Sequence, residues 1–257
     1  SLKTLTIAIA FSLLSYLSQA EISPAEKDSL AQVLRNGTPA DRIHSYYLLA
    51  SKNEQSLPDT ALQYYQRGLS LADSIDDNSL KAKGYSSIGY LYFNSGRYSE
   101  AINYLFKALK IFEDKELDLS TIQCLQYIGI AYTEQGLYDK AMQYSKQALK
   151  IAQDTEYEYQ AASCLTSIGA IYYAEENYDE ALTYFQQALD EMKKTDDKQG
   201  ISDALNNVAL IYEETENYTK ALEYYLQSLK MAKELKDQRG VAATYHNLSL
   251  VYKGLEN

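Results

Sequence analysis

The stretch YSSIGYLY (85–92) decides how the chain is read, because it returns every 40 residues. Its later forms are LQYIGIAY (125–132), LTSIGAIY (165–172), LNNVALIY (205–212) and YHNLSLVY (245–252). Tyr92, Tyr132, Tyr172, Tyr212 and Tyr252 form one column; Ile88, Ile128, Ile168, Val208 and Leu248 form another. A third column is small: Gly89, Gly129, Gly169, Ala209 and Ser249. Each unit carries a second pattern further on, marked by Ala61, Ala101, Ala141, Ala181 and Ala221 and by Leu69, Leu109, Leu149, Leu189 and Leu229. Self-similarity at this period is the signature of a stacked repeat architecture.

Within one unit the apolar residues Tyr85, Ile88, Gly89 and Tyr92 fall at three–four spacing, which makes one stripe on a helix. Ala101, Leu105, Ala108 and Leu109 do the same for a second helix. The small column lets the paired helix approach; a Leu there would push the pair apart. Between the helices lie NSGRY (94–98), EQGLY (134–138), AEENY (174–178) and ETENY (214–218). Gly96 and Gly136 fit a helix stop with positive φ. Asn177 and Asn217, one residue later, are the next best turn formers.

Composition agrees. Eleven Gly and three Pro in 257 residues are too few for an all-β, collagen-like or linker chain. Hydrophobic residues at 46% allow a core, against wholesale disorder. A net charge of −11 excludes a phosphate-backbone binder, so no nucleic-acid partner is expected for this segment. Two Cys and two His leave little for a metal or a nucleophile–base pair. The phosphate-loop, dinucleotide and nucleophile-elbow motifs are missing as well. No enzyme, cofactor or metal is therefore expected. Cys124 and Cys164 sit one repeat apart on neighbouring first helices. Packed helix axes lie about 8–10 Å apart and a disulfide needs Cα atoms within about 7 Å, so two free thiols are expected.

The pattern resembles the tetratricopeptide repeat (TPR), written W-x2-L-G-x2-Y followed by A-x3-F and P. Here it reads Tyr85-x2-Ile88-Gly89-x2-Tyr92, then Ala101-x3-Leu105. Trp is replaced, the Pro is missing, and the period is 40 rather than 34. The longer period is similar to the subclass with lengthened helices, found in kinesin light chains and in peptide-sensing regulators of Gram-positive bacteria. The resemblance implies an all-α fold: a right-handed α-α superhelix of antiparallel helix pairs, with a concave face lined by the first helices.

Domain boundaries follow. Residues 1–22 are an apolar N-terminal segment and 23–37 a capping helix, entered by Ser23-Pro24-Ala25-Glu26 and stopped at Asn36-Gly37. Residues 38–257 are the TPR array, with repeats at about 42–81, 82–121, 122–161, 162–201 and 202–241 and a partial one at 242–257. The first repeat is degenerate, as terminal repeats are. Its first helix, DRIHSYYLLASK (41–52), lacks the small–aromatic signature. The register predicts that the native protein continues past Asn257. Residues 2–20, LKTLTIAIAFSLLSYLSQA, read as a secretory signal, a packed helix or a short membrane anchor. A signal would export the chain to the periplasm or cell envelope; otherwise it is cytoplasmic. Membrane contact is expected only through this segment.

Candidate binding residues lie on the first helices opposite the packing stripe. They are Ser86, Tyr90 and Phe93; Gln126 and Ile130; Thr166 and Tyr173; Asn206, Leu210 and Glu213; and His246 and Leu250. Tyr90, Ile130, Ala170, Leu210 and Leu250 predict an apolar floor. Ser86, Gln126, Thr166, Asn206 and His246 predict a polar rail whose amides suit a peptide backbone. The alternative is that the floor packs against neighbouring helices and the rail is merely hydrated. Only Lys83 and Lys253 are basic on this face, which disfavours the acidic chaperone tails that other members of the family clamp.

Three functional classes remain. The first is a scaffold holding a protein or peptide segment in the concave groove. The second is the sensory region of a larger bacterial signalling protein, a transcription regulator or histidine kinase, with its effector after residue 257. The third is an assembly factor that self-associates end to end.

Overall fold

The computed structural model describes residues 23–256. The N-terminal segment, with its signal, helix or anchor readings, lies outside the described residues. Among the described residues there are twelve helices and no strand. They are α1 (Pro24–Asn36), α2 (Pro39–Asn53), α3 (Pro58–Ser74), α4 (Asn78–Asn94), α5 (Tyr98–Asp114), α6 (Asp118–Glu134), α7 (Tyr138–Asp154), α8 (Glu158–Ala174), α9 (Tyr178–Thr195), α10 (Lys198–Glu214), α11 (Tyr218–Glu234) and α12 (Gln238–Leu255). They fall into two compact units, α1–α6 and α7–α12. In each, sequential helices pack as antiparallel pairs, so the fold is all-α, of the α-α superhelix class.

From α3 onward, every helix begins 20 residues after the one before. The 40-residue repeat is thus two half-repeats, each a helix and a short connection. Every connection holds one left-handed residue: Asp76, Gly96, Glu116, Gly136, Glu156, Glu176, Asp196, Glu216 and Lys236, with φ between 52° and 71°. At most of them the next N–H reaches back to a carbonyl five residues earlier. Arg97 donates to Tyr92, Leu117 to Phe112, Asn177 to Tyr172 and Asp237 to Ala232, each at 2.9 Å. This is the six-to-one bond of the Schellman motif, which satisfies helix-end carbonyls. After the longer α9, the Asp197 N–H donates to Thr195 Oγ1 instead (3.3 Å).

The glycines expected at positive φ, Gly96 and Gly136, are there, each at 71°. Where Asn177 and Asn217 were expected to turn the chain, Glu176 and Glu216 take the left-handed conformation. The asparagines are the N-caps of α9 and α11, accepting from the Glu180 and Lys220 N–H groups. The geometry places the turn one residue ahead of the cap, and Asn serves better as the acceptor. Gly37 does end α1, but in extended backbone at φ −74° rather than left-handed.

Side-chain packing explains the columns. A Cβ on Gly89 would lie 2.8 Å from Leu105 Cγ, and one on Gly169 2.7 Å from the Phe185 ring. At Gly89 and Gly169 the small column therefore marks where the second helix presses an apolar side chain against the first. The tyrosine column pairs across the other edge: Tyr92 with Tyr104 (5.5 Å between ring centres), Tyr172 with Tyr184 (5.4 Å) and Tyr212 with Tyr224 (5.5 Å). Such ring pairs contribute about 0.5–1.5 kcal/mol beyond their buried area.

The first repeat departs from this scheme because four residues, not three, connect α2 to α3. The extra residue turns α2 so that Tyr47 enters the core, with its hydroxyl donating to the Leu80 carbonyl (2.9 Å). A Cβ at position 68 would lie 2.5 Å from the Tyr47 ring, so Gly68 stands where later repeats carry Ala108, Ala148, Ala188 and Ser228.

The left-handed connections are testable in urea unfolding. Nothing lies within 4 Å of a Cβ on Gly96, so Gly96→Ala costs only backbone strain, about 1 kcal/mol net. Glu216→Gly relieves the same strain and is neutral or stabilising by up to about 1 kcal/mol. A Glu216→Gly loss as large as that of Gly96→Ala would contradict this geometry.

Candidate protein-binding face

The first-helix face of the α1–α6 unit is aromatic. Tyr90 and Phe93 on α4 and Tyr127 on α6 converge, with Tyr127 4.4 Å from the Tyr90 ring and 5.1 Å, edge-on, from Phe93. Tyr98 at the start of α5 closes the other side of Phe93 (5.5 Å). Burial, with Cys124 and Tyr127 beside it, pushes the Tyr90 phenol well above its ordinary value; burial takes Tyr127 up to about 12. Both rings stay neutral at any physiological pH. Glu54, after α2, accepts from the Tyr65 hydroxyl of α3, and burial raises its carboxyl. The expected members Ser86 and Ile130 are buried, and Ser86 Oγ turns back to the Lys83 carbonyl (3.1 Å). Gln126 is half-buried on α6.

The same face of the α7–α12 unit is polar and acidic. Tyr173 on α8 is buried and donates to Glu214 Oε1 (2.8 Å). Tyr225 on α11 crosses the helix pair to donate to Glu213 Oε2 (2.8 Å). Burial raises the Glu213 carboxyl; Glu214 adds to this, while the Tyr225 bond and His246 oppose it. Asn206 Nδ2 donates to Ser228 Oγ (2.7 Å). The buried Ser202 and Ser228 exchange hydroxyl and carbonyl bonds at 3.0–3.2 Å. Thr166 is buried and bonded to the Ala162 carbonyl (3.1 Å). Leu210 is half-buried; His246 is exposed, and Leu250 keeps 44% of its surface.

The two expected columns are therefore not uniform. In the floor, Ile130 and Ala170 are packed away while Tyr90 and Leu210 are half-open and Leu250 is open. In the rail, Ser86 and Thr166 bond their own helix, Asn206 bonds α11, and His246 meets solvent. Short hydroxyl side chains satisfy themselves on the preceding turn, so they do not project.

Several residues outside the expected set complete the site. Gln199 Nε2 bridges Asp203 Oδ1 (3.2 Å) and Asp237 Oδ2 (3.3 Å). Burial first, then the carboxylates of Asp237 and Asp197, push the Asp203 carboxyl up to about 7, against the Gln199 bond. Tyr159 on α8 is raised by burial and by Asp197 and Asp203. Tyr127, Glu214 and Tyr159 carry no distinguishing sequence motif; only the column register could have pointed to them. Both cysteines are free and buried, and burial lifts each thiol to about 12, so neither is a nucleophile. Among the described residues no group of His, Cys, Asp and Glu could hold a metal ion, and no helix is long and apolar enough to cross a membrane.

An all-helical stack of paired helices with the small and tyrosine columns defines a class of repeat protein. The tetratricopeptide repeat family model matches residues 80–154, 118–194, 160–234 and 200–257. The chain belongs to the tetratricopeptide repeat family. No curated protein sequence matches it. Solved structures are similar in fold. A Rap protein complexed with competence and sporulation factor is 22% identical, with 90% of this chain matched to 68% of that one (TM-score 0.71). Aspartyl phosphate phosphatase F from Bacillus subtilis is 16% identical, matching 95% of this chain and 65% of its own (TM-score 0.80). The quorum sensor NprR from B. thuringiensis, in its apo form, is 24% identical, matching 89% of this chain and 64% of its own (TM-score 0.72).

Two measurements check this face. Asp203 binds its proton more tightly folded than unfolded, where the usual carboxyl value is about 3.9. Its contribution to stability is present below about pH 4 and is lost as pH rises towards about 7. Asp203→Asn is expected to flatten that fall and to be more stable at pH 8 by about 1–3 kcal/mol, allowing for solvent screening. Unchanged pH dependence of urea midpoints would contradict the placement. Ser228→Ala removes the acceptor of Asn206 Nδ2, leaves Ser202 Oγ only the Ser228 carbonyl, and is expected to cost about 1–3 kcal/mol in the same assay. An unaffected midpoint would show that those bonds contribute nothing.

Proposed function

We propose that this chain is a protein- or peptide-binding TPR scaffold that holds its partner on the first-helix face and catalyses no reaction itself. The observation that carries this reading is the convergence of Tyr90, Phe93 and Tyr127 into one half-buried aromatic surface on that face. Rigid rings with one polar tip are the usual anchors of a protein interface. In the other unit, Leu210, Glu213, His246 and Leu250 offer apolar and hydrogen-bonding groups on the corresponding face. The fold supports the reading, since similar structures include a Rap protein bound to competence and sporulation factor and NprR bound to its cognate peptide NprX. Those last two complexes also favour a second reading, the sensory region of a larger signalling protein. The compartment follows residues 2–20: export if they are a cleaved signal, the cytoplasm if they are retained. Mass spectrometry of the mature N-terminus distinguishes the two.

The test is site-specific photo-crosslinking. A photoreactive phenylalanine at Phe93 or His246 is expected to trap the partner in extracts of the native cell. At Gln147, on the exposed side of α7, it is expected to trap none. Phe93→Ala should weaken capture at least about fivefold, as a hot-spot truncation does. Crosslinks from Gln147 alone would overturn the proposal.

A further inference from the structure

Along the α2–α3 pair, both helices line a shallow, solvent-open depression of about 560 Å³. Arg42 and Tyr46, one turn apart on α2, line one wall; Gln63, Arg67, Ser70 and Ser74, at three–four spacing on α3, line the other. The Arg42 Nε is fully buried and has no hydrogen-bond partner. A guanidinium N–H left in that condition is costly.

The unpaired guanidinium is unexpected in so acidic a chain. Four carboxylates close by in sequence are engaged elsewhere. Asp41 is held by Thr38, and Glu54 by Tyr65. Asp76 pairs with Lys81, and Asp77 caps α4. Among the described residues no ion pair involves Arg42 or Arg67. The later repeats do not reproduce the arrangement. The column of Arg67 continues as Lys107, Gln147, Gln187 and Gln227, and Lys107 lies over the Tyr104 and Tyr85 rings (4.9 and 5.6 Å).

We propose that the α2–α3 depression is a binding site for a phosphate monoester, held by Arg42 and Arg67. Two guanidiniums match the double negative charge of a phosphate monoester and present forked donors to its oxygens. Ser70 and Gln63 add neutral donors, and the Tyr46 ring, stacked on Tyr64 at 6.4 Å, offers a flat wall for the organic part of the ligand. The site is independent of the partner-binding reading, since it shares no residue with the first-helix face.

Calorimetric titration of the full chain with phenyl phosphate, inorganic phosphate and benzoate tests this. Phenyl phosphate is expected to bind most tightly, inorganic phosphate more weakly and benzoate weakest. Arg42→Gln and Arg67→Gln should each weaken phenyl phosphate at least about tenfold, the loss of a charge-assisted hydrogen bond. Arg67→Lys, which keeps the charge but not the fork, should fall between. Circular dichroism confirms that the variants fold; Arg67 is exposed, so its replacement leaves the core intact. No heat or shift with millimolar phenyl phosphate, equal affinity in Arg67→Gln, or benzoate binding as tightly as phenyl phosphate would each overturn the proposal.

Discussion

The left-handed residue in each three-residue connection is the constraint on which the rest of the structure depends. It lets the N–H of the following residue reach back to close one helix while that same residue begins the next. Because this happens every 20 residues, each helix has about 17 residues, roughly 25 Å at 1.5 Å per residue. Within a pair the antiparallel partner therefore starts at a fixed height. That height brings Leu105 against Gly89, Phe185 against Gly169, and Tyr92, Tyr172 and Tyr212 each against the tyrosine twelve residues on. One inserted residue alters the rotation of a helix and all of these contacts with it. The α2–α3 pair shows both the consequence and the remedy: Tyr47 turns into the core and Gly68 makes room for it.

The abundance of tyrosine has two physical uses in this frame. Column rings close the edge of each helix pair, with cations laid on some of them, as Arg97 on Tyr92 at 4.4 Å and Lys220 on Tyr212 at 4.9 Å. Others run through the core and surface with a hydroxyl at the far end. Tyr65 and Tyr225 each leave an apolar helix interface and end on a half-buried glutamate, Glu54 or Glu213. A phenylalanine would pack equally well but would leave the carboxylate without that bond. The polar groups of the first-helix face are thus tied into the core rather than laid over it, which limits their freedom to rearrange around a partner.

The two units use the common backbone differently. One concentrates aromatic rings on its first helices; the other concentrates carboxyl groups, amides and buried hydroxyls there. The electrostatics follow from burial rather than from formal charge. Asp203 is raised because it is shielded from water and faces other carboxylates. In a chain of net charge −11, two arginines without an ion pair among the described residues line one open depression.

Sequence alone determined the helix pairs, their 40-residue period, the columns that meet and the family, because periodic burial writes the same residue sizes into every repeat. It also placed Gly96 and Gly136, since a left-handed turn selects glycine. It did not reveal the half-repeat of 20 residues: seven of the nine left-handed positions are Asp, Glu or Lys, whose backbone strain leaves no mark in composition. Nor did it separate the face residues that project from those that do not. Ser86 and Thr166 sit in the same column as His246, yet they bond backwards and are covered by neighbours. Tertiary structure alone decided which side chains become unequal: Asp203 among many carboxylates, Arg42 among several cations, Tyr127 among many rings. Each owes its character to groups on another helix, brought there by packing, and no spacing within one helix records them.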